Sequence, residues 1–233
     1  MSAAEDVGGS TGRVAGGVVR DEARAEVMER IRKALGDRPA VPEILQTAGL
    51  LPALGRHELL ELFAERVAEY RATVHRTSAA SVPTVVAEIL GGWGARRIVV
   101  PAGVPGEWLA ATHVEVVADT PPLSVDALDA LDGVITGCAV GLAETGTIVL
   151  DGGAGQGRRV LSLLPDRHLC VIRADQIVQD VPEALARLDP RRPMTWISGP
   201  SATSDIELQR VEGVHGPRVL DVVIIEVDAP EPG

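Results

Sequence analysis

The 233-residue sequence has very few aromatic residues, one lysine and two cysteines. Phe, Trp and Tyr make up 2% of the chain and are scattered along it, so sequence proximity assembles no platform on which nucleic-acid bases could stack. The lysine, Lys33, lies in a predicted N-terminal helix, which argues against Schiff-base chemistry and against a Walker-type phosphate lysine. Cys138 and Cys170 form no CxxC pair, so we expect neither a disulfide framework nor a four-cysteine iron–sulfur site on this chain alone.

Positive charge and long apolar runs are also scarce. The formal net charge is −11, which disfavours binding to nucleic-acid phosphates and to anionic lipid. No apolar run reaches the roughly 18 residues of a transmembrane helix, and the first residues lack the basic-then-apolar pattern of a signal peptide. Hydrophobic residues make up 45% of the chain, which is enough for a sizeable core. We therefore expect a soluble cytoplasmic protein that binds no nucleic acid and has no transmembrane segment.

The hydrophobic pattern predicts a helical N-terminal part followed by an α/β domain. Residues 1–18 are rich in Gly, Ala and Ser and predict a disordered tail. Helical spacing of apolar residues follows, first over Val27–Leu35 and then from about His57 to Arg76. Residues 19–77 are thus predicted to form a helical extension, and residues 78–228 the α/β domain.

Beyond residue 77, short β-branched runs alternate with short helices. This alternation predicts a mostly parallel sheet flanked by helices on both faces. Such sheets bind ligands at the carboxyl ends of their strands, where loops lead into helices. The predicted strands are Ile98–Val100, Val114–Val117, Gly133–Thr136, Gly146–Leu150, His168–Arg173, Met194–Ser198 and Val219–Val227.

The segment Ala143–Leu150 (AETGTIVL) is the first of three unusual segments that we predict at strand ends. Its carboxylate and two hydroxyls surround Gly146, which permits a positive φ or a close backbone approach just before an apolar strand. Glu144 is a candidate catalytic residue, as general base or nucleophile, or a ligand anchor. Thr145, Gly146 and Thr147 are candidate substrate-binding residues. The structural alternative is that Glu144 caps a turn and Thr147 is an ordinary strand residue.

The second segment, Asp151–Arg159, is rich in glycine and ends in two arginines. Its amides, including those of Gly155 and Gly157, are suited to an anion, and Arg158 or Arg159 would add positive charge. The segment is not a dinucleotide fingerprint, because it lacks the GxGxxG spacing and a later acidic partner. A flexible hairpin or loop is the structural alternative.

The third segment, Ser198–Glu207, follows a predicted strand. Gly and Pro force a sharp turn and the hydroxyls then offer helix caps, so a strand–turn–helix start predicts a cradle for phosphate or carboxylate. An ordinary capped helix is the alternative. The candidate binding residues are Ser198, Gly199, Pro200, Ser201, Thr203 and Asp205.

A further motif, Gly213–Arg218 (GVHGPR), comes shortly afterwards. His215 is flanked by glycines, which predicts a loop histidine that can act as acid, base or ligand near neutral pH. Arg218 is suited to bind a carboxylate through two hydrogen bonds. No set of His, Cys, Asp and Glu residues has metal-ligand spacing. Together the segments predict one amide- and hydroxyl-rich site for an anionic small molecule.

The order of these segments resembles that of the LUD-domain family, in its lactate utilization protein C branch. The matching motifs are AETGTIVL, the glycine-rich stretch with RR, LLPDRHLCVI, ISGPSATSDIE and GVHGPR, between roughly Leu131 and Ile225. The resemblance implies a fold related to the sugar-phosphate isomerase, CoA-transferase and formyltetrahydrofolate cyclo-ligase group. It also implies a role in oxidising L-lactate to pyruvate beside partner proteins that carry iron–sulfur clusters. The sequence itself has no cluster, haem or dinucleotide motif, so we expect no cofactor held by this chain alone.

Three functional hypotheses follow from these observations. In the first, the chain is a non-redox subunit or accessory protein of a lactate-oxidising complex. In the second, it is a stand-alone isomerase-, transferase- or ligase-type enzyme for a phosphorylated or CoA-linked substrate, with Glu144 as the catalytic carboxylate and the Ser198–Thr203 loop as the anion cradle. His215 is a further catalytic candidate of the site. In the third, it is a regulatory subunit that senses lactate or a related carboxylate through Arg218 and the amide loops.

Overall fold

The computed structural model describes residues 15–36, 52–203, 211–212 and 216–226. The chain divides into two units, residues 1–47 and 48–233. The first unit contains helix α1 (Ala15–Leu35), which confirms the helix predicted from the apolar spacing over Val27–Leu35. The apolar side chains on α1 at Val27, Ile31 and Leu35 are exposed.

The second unit contains the remaining elements. Within the described residues they are, in chain order, α2 (Arg56–Glu69), β1 (Thr73–Ser78), α3 (Val82–Trp93), β2 (Arg97–Val100), β3 (Glu115–Ala118), α4 (Val125–Asp129), β4 (Gly133–Gly137), β5 (Val140–Leu142), β6 (Thr147–Leu150), β7 (Arg167–Arg173), β8 (Ile177–Val178), α5 (Val181–Arg187), β9 (Thr195–Ile197), β10 (Ala202–Thr203), β11 (Val211–Glu212) and β12 (Val219–Glu226). No helix in the described part of the chain is both long enough and apolar enough to cross a bilayer.

A six-stranded parallel sheet forms the centre of the described second unit, which confirms the predicted fold class. The strand order is β1-β12-β7-β4-β2-β3, and each neighbouring pair is parallel. Side chains alternate between two cores because successive strand residues point to opposite faces. In β7, for example, Leu169 and Val171 pack towards α3, whereas Cys170 and Ile172 pack towards α2. Both faces are therefore covered, and this explains the continuous apolar runs in the central strands.

The predicted helix from His57 to Arg76 is too long. It ends at Glu69, and Arg71 then adopts a φ of 68°, which breaks the helical path. The β-branched residues Thr73 and Val74 continue as the edge strand β1 and pair with β12. Their apolar spacing fits a helix as well as a strand, and pairing with a distant strand decided between the two.

His75 therefore lies on β1 and not in the predicted helix. Its Nε2 is 2.8 Å from Oδ1 of the buried Asp221 on β12. Oδ2 of the same carboxylate accepts a hydrogen bond of 3.1 Å from Nε1 of Trp93, the last residue of α3. The buried Asp221 carboxylate thus connects β1 and β12 to α3. These two contacts supply the polar partners that a buried charged group requires.

A second sheet, with the strand order β8-β5-β6-β9, covers the same face as α2. The predicted strands Gly146–Leu150 and Met194–Ser198 are present, but they form β6 and β9 of this sheet and are antiparallel to each other. They were expected in the parallel sheet. A short apolar run shows that a strand forms and does not show which strand pairs with it.

The strand order reverses between β2 and β4. β3 follows β2 on one side, whereas β4 pairs with β2 on its other side and β7 and β12 lie beyond it. Connections that leave a parallel sheet in opposite directions open a crevice at the carboxyl ends of the two strands, and this is where such folds bind ligands.

Candidate functional site

A cavity of about 440 Å³ opens at the carboxyl ends of β2 and β3. Pro101 and Ala102 follow β2, Asp119 and Thr120 follow β3, and all four line the cavity. Most of the remaining wall comes from the glycine-rich loop, residues 151–159. A cavity of this size at this edge of a parallel sheet is the usual position of a small-molecule site.

The glycine-rich loop is held in the crevice by backbone hydrogen bonds from both strands of the switch point. The amide of Gly103, after β2, donates to the carbonyl of Ala154 at 3.1 Å, and the amide of Gly137 in β4 donates to that of Gly155 at 2.8 Å. A Cβ at position 103 would lie 2.5 Å from the carbonyl carbon of Ala154, so only glycine permits this approach. The loop occupies the middle of the crevice and leaves a cavity on each side of the loop.

A smaller cavity of about 190 Å³ lies on the other side of the loop. Trp108, Cys138 and Arg173 are among its lining residues. The side chain of Gln156 is buried, lines both cavities, and accepts a hydrogen bond of 2.5 Å from the amide of Asp151 at its Oε1. Gln156 therefore closes the part of the loop between residues 151 and 156 at the boundary between the cavities.

The backbone amides of Gly152 and Ala154 are available to a ligand. The amide of Gly153 donates to Oδ1 of Asp151 at 3.1 Å, whereas those of Gly152 and Ala154 have no hydrogen-bond partner among the described residues. Both residues line the larger cavity. Amides without side chains around them are typical of anion-binding loops.

The two adjacent arginines of the loop have different partners. Arg158 forms a bidentate ion pair with Asp119, with Nε 2.6 Å from Oδ2 and Nη2 2.7 Å from Oδ1. The Arg158 guanidinium lowers the pKa of the Asp119 carboxyl, and Asp119 raises the pKa of Arg158. Arg159 is exposed, lines the same cavity and has no ion-pair partner in the described part of the chain. The uncompensated positive charge of the cavity is therefore that of Arg159.

Replacing Gly103 should displace the glycine-rich loop. We expect Gly103→Ala to lower the free energy of unfolding by about 1–3 kcal/mol, because the added methyl group overlaps the backbone of Ala154. Gly106→Ala is the matched control, since its Cβ meets nothing within 4 Å. Urea denaturation should show a lower midpoint for the first variant alone, and equal midpoints would contradict the docking of the loop.

The hydroxyls of the first and third segments come together in the structure. Oγ1 of the buried Thr147 lies 2.7 Å from Oγ1 of Thr145 and 2.8 Å from Oγ of Ser198. This cluster lies at the start of β6, whereas the glycine-rich loop follows its end at Leu150. The structure thus joins the first and third segments and places the second segment at the other end of the strand.

Two glycines beside this cluster lie against α2 and the residue that ends it. Gly146 has a φ of 58°, and a Cβ there would lie 2.5 Å from the carbonyl carbon of Arg66. Gly199 has a φ of 83°, and its Cβ would lie 2.5 Å from Cβ of Tyr70. These close contacts show that both glycines are required for packing.

Glu144 is exposed on the turn before Gly146 and lines neither cavity beside the glycine-rich loop.

Arg218 is remote from the glycine-rich loop. It immediately precedes β12, so it lies at the amino end of the parallel strands, and its Nη1 is 3.5 Å from Oδ2 of Asp166. Its neighbour Pro217 accepts a hydrogen bond of 2.8 Å from the amide of Ser201, which connects the GVHGPR motif to the third segment. The structure therefore divides the predicted residues between the two edges of the sheet.

The remaining predicted residues lie at or beyond the limits of the described chain. Asp205 and His215 lie outside the described residues. Pro200 precedes β10, and Thr203 belongs to β10, which pairs with β11 in antiparallel orientation. The helix start expected after Ser198 is therefore wrong for Ala202 and Thr203, where pairing with a later segment replaces the capped turn.

Two residues of the carboxyl-edge site were not among the sequence candidates. Asp119 directly follows β3 and comes two residues after the predicted strand Val114–Val117, and an acidic residue at a strand end is a signal that sequence reasoning could have used. Gln156 offers no such signal, because its role depends on how the loop closes on Asp151.

The fold is that of an α/β protein with a central parallel sheet. Its glycine-rich loop lies in the crevice at the carboxyl ends of β2 and β4, where the strand order reverses. Comparison with known proteins identifies the family. The model of the LUD domain family matches residues 18–225, which is most of the chain. The chain therefore belongs to the LUD domain family.

Individual relatives agree with this assignment. The chain is 50% identical over 209 residues to Lactate utilization protein C of Deinococcus radiodurans, covering 88% of this chain and 96% of the relative. It is 35% identical over 99 residues to Lactate utilization protein C of a Geobacillus species, covering 39% of this chain and 41% of the relative. A crystal structure of a DUF162 family protein from Deinococcus radiodurans has a TM-score of 0.65 and 47% identity, covering 74% of this chain and 99% of that chain.

Proposed function

We propose that this protein is a component of a cytoplasmic system that oxidises L-lactate to pyruvate, and that it acts beside iron–sulfur partner proteins. The observation that carries the proposal is the 50% identity to a Lactate utilization protein C over 96% of that relative's length. Identity at this level over nearly the whole relative supports a shared role more strongly than a shared fold does.

The cysteines support a role for this chain that is not itself redox. An iron–sulfur cluster is usually held by four thiolates, and this sequence has two cysteines. Both are buried, and a hydrogen bond with Cys170 together with burial raises the pKa of the Cys138 thiol well above its usual range. A thiol held in its protonated form is a poor cluster ligand. We therefore assign the clusters to partner proteins.

We also propose that the protein binds an anionic small molecule in the larger cavity. Arg159 supplies a positive charge without a carboxylate partner among the described residues, and the amides of Gly152 and Ala154 supply neutral donors. The enzyme hypothesis built on Glu144 has less support, because that side chain is exposed on a turn away from this cavity.

Deleting the gene should abolish growth on L-lactate as the sole carbon source and leave growth on glucose unchanged. A plasmid copy should restore growth, and a plasmid copy carrying Gly106→Ala should restore it equally well, because that position has free space around it. A tagged copy should also purify with iron–sulfur proteins, detected by their visible absorbance. Normal growth of the deletion strain on L-lactate, with normal lactate consumption, would contradict the proposal.

A further inference from the structure

We propose that the larger cavity binds a phosphate ester with an extended organic body, and that it does not bind L-lactate or pyruvate. This inference rests on the anion site of the proposed function and names the class of ligand that the site takes. The phosphate would lie on the glycine-rich loop beside Arg159, and the organic body would lie against the apolar wall.

The volume of the cavity is the first argument. L-Lactate has six heavy atoms, and even at the roughly 30 Å³ that a water molecule occupies in the liquid they would fill about 180 Å³. The cavity measures about 440 Å³, so most of it would remain outside the contacts of such a ligand. Cavities of about 300–1,000 Å³ bind ligands of drug or cofactor size. The volume therefore favours a ligand at least twice as large as lactate.

The donors at the loop are the second argument. Arg158 is neutralised by Asp119, so the charged groups that line the cavity leave one net positive charge, on Arg159. The unpaired amides of Gly152 and Ala154 lie on the same loop. A guanidinium beside glycine-rich backbone amides is suited to the several terminal oxygens of a phosphate. The loop therefore provides the phosphate end of the site.

The apolar part of the wall is the third argument. Pro101, Leu150, Leu161 and Pro193 line the cavity with apolar surface, and Leu150 and Leu161 are buried side chains of the core. Apolar surface gives a three-carbon hydroxy acid little to contact, but it can bind the organic part of a larger ester. A positive charge and apolar surface in the same cavity match a ligand with a phosphate head and an extended body.

Calorimetric titration of the full-length protein tests the proposal. The probes are AMP, 4′-phosphopantetheine and glucose 6-phosphate, compared with inorganic phosphate, L-lactate and pyruvate. At least one ester should bind about tenfold or more tightly than inorganic phosphate, and Arg159→Gln should weaken that ester by about tenfold or more, as expected for loss of a charge-assisted hydrogen bond. Arg191→Gln is the matched control, because Arg191 is exposed, pairs with Asp189 and does not line the cavity.

Two results would overturn the inference. One is that no ester binds with a Kd below about 1 mM. The other is that L-lactate or pyruvate binds with an affinity that Arg159→Gln abolishes. Growth of the deletion strain separates this inference from the proposed function. Loss of lactate growth without ester binding would overturn the ligand class alone, and ester binding through Arg159 with normal lactate growth would overturn the role in lactate utilisation alone.

Discussion

Lowering the pH from about 7 to about 4 should destabilise this protein by about 3 kcal/mol through His168 alone. The side chain is fully buried on β7, and its Nε2 lies 2.8 Å from Oγ1 of the buried Thr136. Its Nδ1 has no hydrogen-bond partner among the described residues. Burial lowers the pKa of the ring from 6.5 to about 4. The protein therefore folds around a neutral histidine.

The sign of the effect follows from which state binds the proton. The unfolded chain protonates His168 at its ordinary pKa of 6.5, whereas the folded protein does so only at about 4. Between these values a falling pH favours the unfolded chain, so the stabilising contribution is complete above pH 6.5 and is lost as the pH falls to 4. Below that value both states carry the proton and the contribution stays constant.

Urea unfolding at several pH values measures the effect. We expect the free energy of unfolding of His168→Gln to fall by about 3 kcal/mol less than that of the wild type between pH 7 and pH 4, whatever the stability of the variant at pH 7. His57→Gln is the control, because this histidine on α2 has an 82% exposed side chain. Parallel pH profiles for His168→Gln and the wild type would show that His168 does not carry this pH dependence.

Gly146→Ala should lower the free energy of unfolding by roughly 2–5 kcal/mol. The residue has a φ of 58°, which a residue with a side chain rarely adopts. The new methyl group would also lie 2.5 Å from the carbonyl carbon of Arg66 and 2.6 Å from the amide nitrogen of Val67. Both are backbone atoms of α2, so relief of the overlap requires the helix to move away from the sheet.

A second glycine provides the comparison for this variant. Gly92→Ala lies in α3, meets nothing within 4 Å and has no positive φ. It should leave the stability unchanged or raise it by up to about 1 kcal/mol, since alanine is the better helix former. Thermal unfolding of the two variants side by side tests the expectation. A midpoint for Gly146→Ala close to that of Gly92→Ala would show that the turn moves away from α2 at little cost.

The AETGTIVL motif therefore has a structural explanation that its sequence did not reveal. Gly146 is needed where the β5–β6 turn meets α2, and Thr147 supplies the hydroxyl that bonds Thr145 and Ser198. The chemical role of Glu144 stays a prediction. A motif that is distinctive enough to identify a family can be required for packing as well as for chemistry.

The glycine-rich loop was predicted as an anion site from its composition, and that role stays a prediction. The glycines that leave the backbone amides of the loop uncovered are a local property, so the sequence shows them directly. The hydrogen bonds from Gly103 and Gly137 that seat the loop in the crevice join residues distant along the chain, and no local pattern contains them.

The α/β class and the central strands were predictable because a buried parallel strand needs a short apolar, β-branched run, and β2, β4, β7 and β12 all contain one. Membership of β6 and β9 in a second, mixed sheet was not predictable, because pairing partners are chosen by the packing of the whole domain. The charge of the site was likewise not predictable from the sequence. Arg158 and Arg159 are equivalent neighbours in the sequence, and only the approach of Asp119, 39 residues away, neutralises one and leaves the other available to a ligand.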